Sequence, residues 1–234
     1  MTTVTNPLQA CTEIFFKPNG VFATLKTTHN WSWVPFFLVI ALAALPAYLY
    51  WGFVDFEWIK GQIVASVESD MSPAQIQGMK DSMSAKTYQL GSAIGGPIMI
   101  IIINAVIALY LSLATKIDHD NVQGYTDWYG FTWWTAMPMI LGGLVAMAII
   151  VTADNHQLAP GALSPTSLAF VAGIGFTDNW FGWANGIKLE VLWSIYLTAA
   201  GISQWTNIKG GKAWLIAAAP TVLIYGIWAA FKMI

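Results

Sequence analysis

Polar positions are spread so unevenly along this chain that they divide it into long apolar runs and short wet connections. Five runs reach the roughly 20 residues, at about 1.5 Å each, that a bilayer core about 30 Å thick demands of a helix. They cover about 33–54, 90–115, 132–152, 187–205 and 213–231, and none holds an Asp, Glu or Lys except near its edges. The expected fold class is all-α, a polytopic membrane helical bundle with five transmembrane helices. Amphipathic helices are added in the N-terminal segment and the first loop. Residues 1–32 read as an amphipathic N-terminal segment and 33–234 as a single membrane domain. No short apolar core with a small-residue cleavage site precedes the first run, so that run is expected to stay as an anchor.

The connections differ in character. From Asn6 to Thr28 the pattern gives two short amphipathic helices. Asn6-Pro7 supplies a cap with proline at the first helical position, and Lys17-Pro18 restarts the pattern. Leu8, Cys11 and Phe15 are expected on one face of the first, and Val21, Phe22 and Leu25 on one face of the second. Such helices either lie in the headgroup zone or cover the end of the bundle. The loop 55–89 holds most of the charge. In it Ser72-Pro73-Ala74-Gln75 forms a capping box, and Ile76, Met79 and Met83 follow at helical spacing. This predicts an extramembrane helical hairpin whose methionine stripe is a packing face or a docking surface. The loop 153–186 is long and partly apolar. Ser164-Pro165 reads as a helix start there, and 163–176, too short to span, either dips part way as a re-entrant element or lies flat.

Composition then narrows the class. Hydrophobic residues make up 56% and charged residues 9%, against about 25% charged in an ordinary soluble chain. Thirteen tryptophans add the residue that gathers where one solvent gives way to another. A formal net charge of −2 and the lack of any arginine exclude a general nucleic-acid binder and bidentate anion clamps. Cys11, the one cysteine, builds neither an internal disulfide nor a metal site by itself. Serine-nucleophile, phosphate-loop and zinc signatures are missing. Adjacent Asp118, His119 and Asp120 do not converge easily on one metal and read as a solvated loop. No catalytic residue, cofactor or metal is therefore expected, and the chain reads as something other than an enzyme.

A few positions inside the spans carry the remaining interest. Asn104 sits near the middle of the second span, where an unpaired amide is costly. It is expected to join helices, or else to meet a ligand or ion in a cavity. Gly91 and Gly95, with Gly96 and Pro97 after them, predict close helix packing, or alternatively a broken helix. Pro138 cannot bond back to Trp134 and predicts a kink in the third span. Gly142 and Gly143 follow it, for packing or for a hinge. Glu190 opens the fourth span, either hydrated or paired at the edge or, if buried, a proton-exchange group.

From Leu189 to Ala218 the text "LEVLWSIYLTAAGISQWTNIKGGKAWLIAA" resembles the bacterial branch of the Yip family, the Ypt/Rab-interacting membrane proteins. Trp193, Gly201 and Gly211-Lys212-Ala213 stand where that family has a tryptophan within a fourth span, a glycine at its end and a short loop ending Gly-Lys-Ala. "FKPNGVF" from Phe16, "NWSWVPFFLV" from Asn30, "VDFEWIKGQI" from Val54 and "SPAQIQGM" from Ser72 are similar to its opening and first loop. "IGGPIMI" around Pro97, "AMPMILGG" around Pro138 and "LSPTSLA" around Pro165 complete an ordered set over nearly the whole chain.

The resemblance implies five membrane helices in a bacterial inner membrane, with the N-terminus cytosolic and the C-terminus periplasmic. Lysines alone divide equally between the two faces and leave orientation open. Eukaryotic members are implicated in vesicle traffic and membrane shaping, and a Rab partner does not carry over to a bacterium. The expected function is a non-enzymatic membrane adaptor or organiser. Its expected partners are the lipid bilayer, other membrane proteins and further copies of itself. Contacts to ligand or helix are expected at Asn104, Pro97, Pro138, Glu190 and Trp193, and contacts to a partner at Phe15, Phe22, Met79 and Met83. The alternative is a small channel or transporter with a path near Asn104, Pro138 and Glu190.

Overall fold

The computed structural model describes residues 4–68 and 70–233. Two short helices open it, α1 (Pro7–Glu13) and α2 (Pro18–Leu25), and each carries proline in its first turn. Asn6 caps α1, its Oδ1 accepting the Gln9 N–H at 2.8 Å. The buried face of α2 is the expected one, Val21, Phe22 and Leu25. That of α1 is the expected one only at Cys11, which is buried beside Ala10 and Ile14, whereas Leu8 is 69% exposed. The helix ends at Glu13, so helical periodicity no longer governs where Phe15 lies.

The long helices follow. After α3 (Trp33–Phe53) come α4 (Phe56–Ala65) and α5 (Pro73–Ser82), which form the first loop, then α6 (Ala85–Ala114) and a 3-10 turn over Thr115–Ile117. Next are α7 (Tyr125–Thr135) and α8 (Met139–Val151), the short helices α9 (Leu168–Val171) and α10 (Phe181–Gly186), and finally α11 (Leu189–Trp205) and α12 (Gly211–Lys232). Four stretches are long and apolar enough to cross a membrane: Trp33–Phe53, Ala85–Ile117, Tyr125–Val151 and Gly211–Lys232. The fourth expected run forms α11, whose 17 residues rise about 26 Å. The class is therefore all-helical, as its hydropathy pattern predicts. Exposed Phe37 and Leu45 on α3, Ile102 and Val106 on α6, and Leu223 and Ile227 on α12 are side chains a lipid solvent accepts.

Helix ends depart from the expected spans where polar groups cap them. Ser84 accepts the Thr87 N–H through its Oγ at 3.2 Å, so α6 begins before its apolar run does. The Asp127 carboxylate accepts the Gly124 N–H at 2.8 Å, so α7 begins at Tyr125 rather than near Thr132. At Pro138 the chain breaks more sharply than a kink. Residues 136–138 leave the helix, and Met137 donates to the Trp134 carbonyl at 3.3 Å in place of the bond proline cannot make. In the later loop, Ser164 closes a turn by accepting the Ser167 N–H at 3.0 Å. The helix start expected at Ser164-Pro165 thus falls at Ser167, whose Oγ accepts the Phe170 N–H at 3.2 Å.

The chain forms two compact units. One gathers the N-terminal segment up to Ala41, Ile98–Ile140 and the chain from Glu190 onward. Its core is aromatic: Phe22, Trp128, Phe131, Trp133, Trp134 and Trp205 are all buried. Within it Tyr110 on α6 donates its hydroxyl to the Ile216 carbonyl on α12 at 3.0 Å.

The other unit comprises Leu42–Pro97 and Leu141–Leu189, around Tyr50, Val54, Ile59 and Ile150. Here α8 lies directly on α3, since a β-carbon on Gly143 would stand 2.5 Å from the Leu42 carbonyl oxygen. The close packing expected at Gly91, Gly95 and Gly96 is not there. A β-carbon on any of the three would meet no neighbouring atom within 4 Å. The capping box at Ser72 is formed. Met83 is buried and Ile76 and Met79 half-buried, so the methionine stripe turns inward.

Candidate functional site

The first unit contains a cleft of about 580 Å³. One wall is the connection from α2 to α3, including Lys26, His29, Asn30 and Ser32, and then Trp33 and Phe36 on α3. The other is the start of α7, with Asp127, Tyr129, Gly130, Trp133 and Trp134, and Trp205 of α11 also contributes. Asn30 takes a positive φ of 66°, a backbone region its short polar side chain tolerates better than most. This reverses the chain just before α3 begins.

Small and polar contacts bring the two walls together. Trp134 donates its Nε1–H to Ser32 Oγ at 3.0 Å, and Gly130 leaves room for that hydroxyl, which a β-carbon would meet at 2.9 Å. Phe36 packs edge-on against Trp133 with ring centroids 4.7 Å apart. Deeper in the core, Trp205 donates to the Phe22 carbonyl at 2.9 Å. Phe131 lies against both, at 5.0 Å from Phe22 and 4.9 Å from Trp205. The Nε1–H of Trp133, a residue only 2% exposed, has no acceptor among the described residues.

Charge is sparse and mixed at this site. Lys26, His29 and Asp127 line the same cleft. Nearby in the same unit, Asp118 ties two loops together. Its Oδ2 accepts the Asn207 N–H at 2.7 Å, and its Oδ1 accepts the Asn207 Nδ2–H at 3.2 Å. The backbone N–H of Asn207 is the main cause that holds the Asp118 carboxyl below its ordinary value, with Lys26 a lesser one. The Asp118-His119-Asp120 stretch is thus partly a structural tie, where a solvated loop was expected. Asp120 also accepts from the Asn207 amide at 3.2 Å. No group of three His, Cys, Asp or Glu side chains suited to a metal occurs among the described residues.

Sequence-predicted positions fall mostly elsewhere. Asn104 is buried and donates its Nδ2–H to the Ile100 carbonyl of its own helix, one turn back, at 3.1 Å. Pro138 and Glu190 are buried, and neither lines the cleft. Phe15 and Trp193 are brought together, ring edge to face at 5.7 Å, while Phe22 enters the aromatic core. Met79, Met83 and Pro97 belong to the other unit. The cleft residues Lys26, His29, Asn30, Asp127 and Trp133 were not singled out from sequence. The available signal was the mixture of aromatic and polar residues just before two spans, "HNWSW" and "YTDWYGFTWW".

The cleft thus combines an aromatic lining with one lysine, one histidine and one carboxylate. Comparison with known proteins gives one positive finding: the family model for the Yip1 domain matches residues 12–231. No curated protein matches the chain, and no solved structure does.

Proposed function

The chain belongs to the Yip1 domain family, and on that footing we propose that it is a non-enzymatic integral membrane organiser, binding lipids and other membrane proteins. The observation that carries this reading is the way α1 and α2 fold into the membrane unit. Val21 and Phe22 are fully buried, Phe22 with its ring against Phe131 of α7 and its carbonyl bonded to Trp205 of α11. A segment built in this way makes a recognition surface at one end of a bundle rather than a free tether. In this reading residues 1–32 serve a single membrane domain of 33–234, α11 makes the fifth crossing, and Phe15–Trp193 holds the segment in place. The proposed home is a bacterial cytoplasmic membrane, with the N-terminus cytosolic and the C-terminus periplasmic. The Gly91–Gly95 face, open within the chain, favours contact with another membrane helix or a second copy. Met79 and Met83 are proposed to support the first-loop hairpin that such a partner meets.

The channel alternative finds less support. Asn104, Pro138 and Glu190 are all buried, and Asn104 donates its amide N–H to a carbonyl of its own helix. A photocrosslinker at exposed Leu8 or Phe16 in native membranes tests the organiser reading. It is expected to capture the same lipid or protein species in repeated preparations. Solute flux through liposomes containing only this chain, with no reproducible crosslink, would overturn it.

A further inference from the structure

We infer that the cleft between the α2–α3 connection and α7 binds the headgroup of a zwitterionic phospholipid, one bearing both a phosphate and an ammonium. The inference deepens the organiser reading and rests on it. Depth comes first. Trp33 and Tyr125 are the first residues of two helices able to cross the membrane, so the cleft lies where apolar core gives way to headgroups. Trp33 and Phe37 stay 59% and 63% exposed beside it, so acyl chains remain in the bilayer while the headgroup enters. A cleft of about 580 Å³ falls within the span of ordinary small-molecule sites, roughly 300–1,000 Å³.

Charge then selects the headgroup. Lys26 and Asp127 line one cleft, so a purely anionic ligand meets a carboxylate and a purely cationic one meets an ammonium. A zwitterion meets a partner at both ends. Its phosphate is served by Lys26 and His29, and its ammonium by Asp127 and the aromatic lining of Tyr129 and Trp133.

The test is native mass spectrometry of the full chain released from detergent with diacyl lipids of equal chain length. The headgroups are phosphoethanolamine, phosphocholine and phosphoglycerol. Both zwitterionic lipids are expected to be retained in preference to the phosphoglycerol lipid. Retention should fall roughly tenfold in Lys26→Met and Asp127→Asn, the loss typical of one charge-assisted hydrogen bond. The amide introduced by Asp127→Asn keeps an oxygen for the Gly124 N–H, and Lys26, just past the end of α2, is only a lesser partner of Asp118, so both variants should keep the wild-type fold, checked by circular dichroism. Water-soluble phosphoethanolamine at high concentration should compete, separating a headgroup site from simple tail solvation. Equal retention of the phosphoglycerol lipid, or wild-type selectivity in the charge variants, overturns the inference. Crosslinks from Leu8 and Phe16 that persist in that event leave the organiser reading standing.

Discussion

Gly201 lies so close to Phe131 that a β-carbon there would stand 2.5 Å from the phenyl Cζ. The ring has nowhere to retreat, being fully buried among Phe22, Trp128 and Trp205. Gly201→Ala is therefore expected to cost about 1–3 kcal/mol, the usual range for an overpacked core. Thermal unfolding in detergent, followed by tryptophan fluorescence, measures it. Gly210→Ala is a comparison at an uncrowded position, although its φ of 57° carries backbone strain of its own.

Asp118 makes the loop clamp to Asn207 sensitive to acid. Its folded-state pKa is lowered, chiefly by the Asn207 N–H, so the clamp contributes fully above the ordinary carboxylate value, near pH 4. That contribution fades as pH falls through the lowered value. Protection of the Asn207 and Ile208 amides, measured relative to intrinsic exchange, should fall in that acid range, and in Asp118→Asn it should be lower already at pH 7.

Tyr50 holds the loop after α8 by donating its hydroxyl to the Leu158 carbonyl at 2.8 Å. Tyr50→Phe keeps the ring and leaves that carbonyl unpaired. A cost of about 1 kcal/mol is expected, together with faster proteolysis near Gln157 at unchanged secondary structure.

Burial raises the Cys11 thiol to about 11. At pH 8 the thiolate fraction is then on the order of one in a thousand. Maleimide should label the folded chain slowly at pH 8 and rapidly after unfolding, with the folded rate rising toward pH 10. Fast labelling of the folded protein at pH 7 would contradict the packing of α1 described above.

Much of this molecule was legible in sequence because hydropathy is additive along the chain. A run of about twenty residues carries its own transfer free energy wherever its neighbours lie, so the long helices sit close to where the apolar pattern puts them. Most local signals were also legible: Asn6, Ser72 and Pro138 act within about a helical turn of themselves, through caps or a missing donor, whereas the start expected at Ser164 moved to Ser167. Tertiary structure decided what periodicity cannot express. The Asn104 amide turned back to the Ile100 carbonyl of its own helix rather than across to another. Ile14 rather than Leu8 is buried, because the core that receives α1 comes from helices far along the chain. The cleft depends on Ser32 meeting Trp134, 102 residues away, and its floor on Phe22 meeting Trp205, 183 residues away. Contacts of that separation depend on how helices pack side by side, a property of three-dimensional shape that no single stretch of sequence contains.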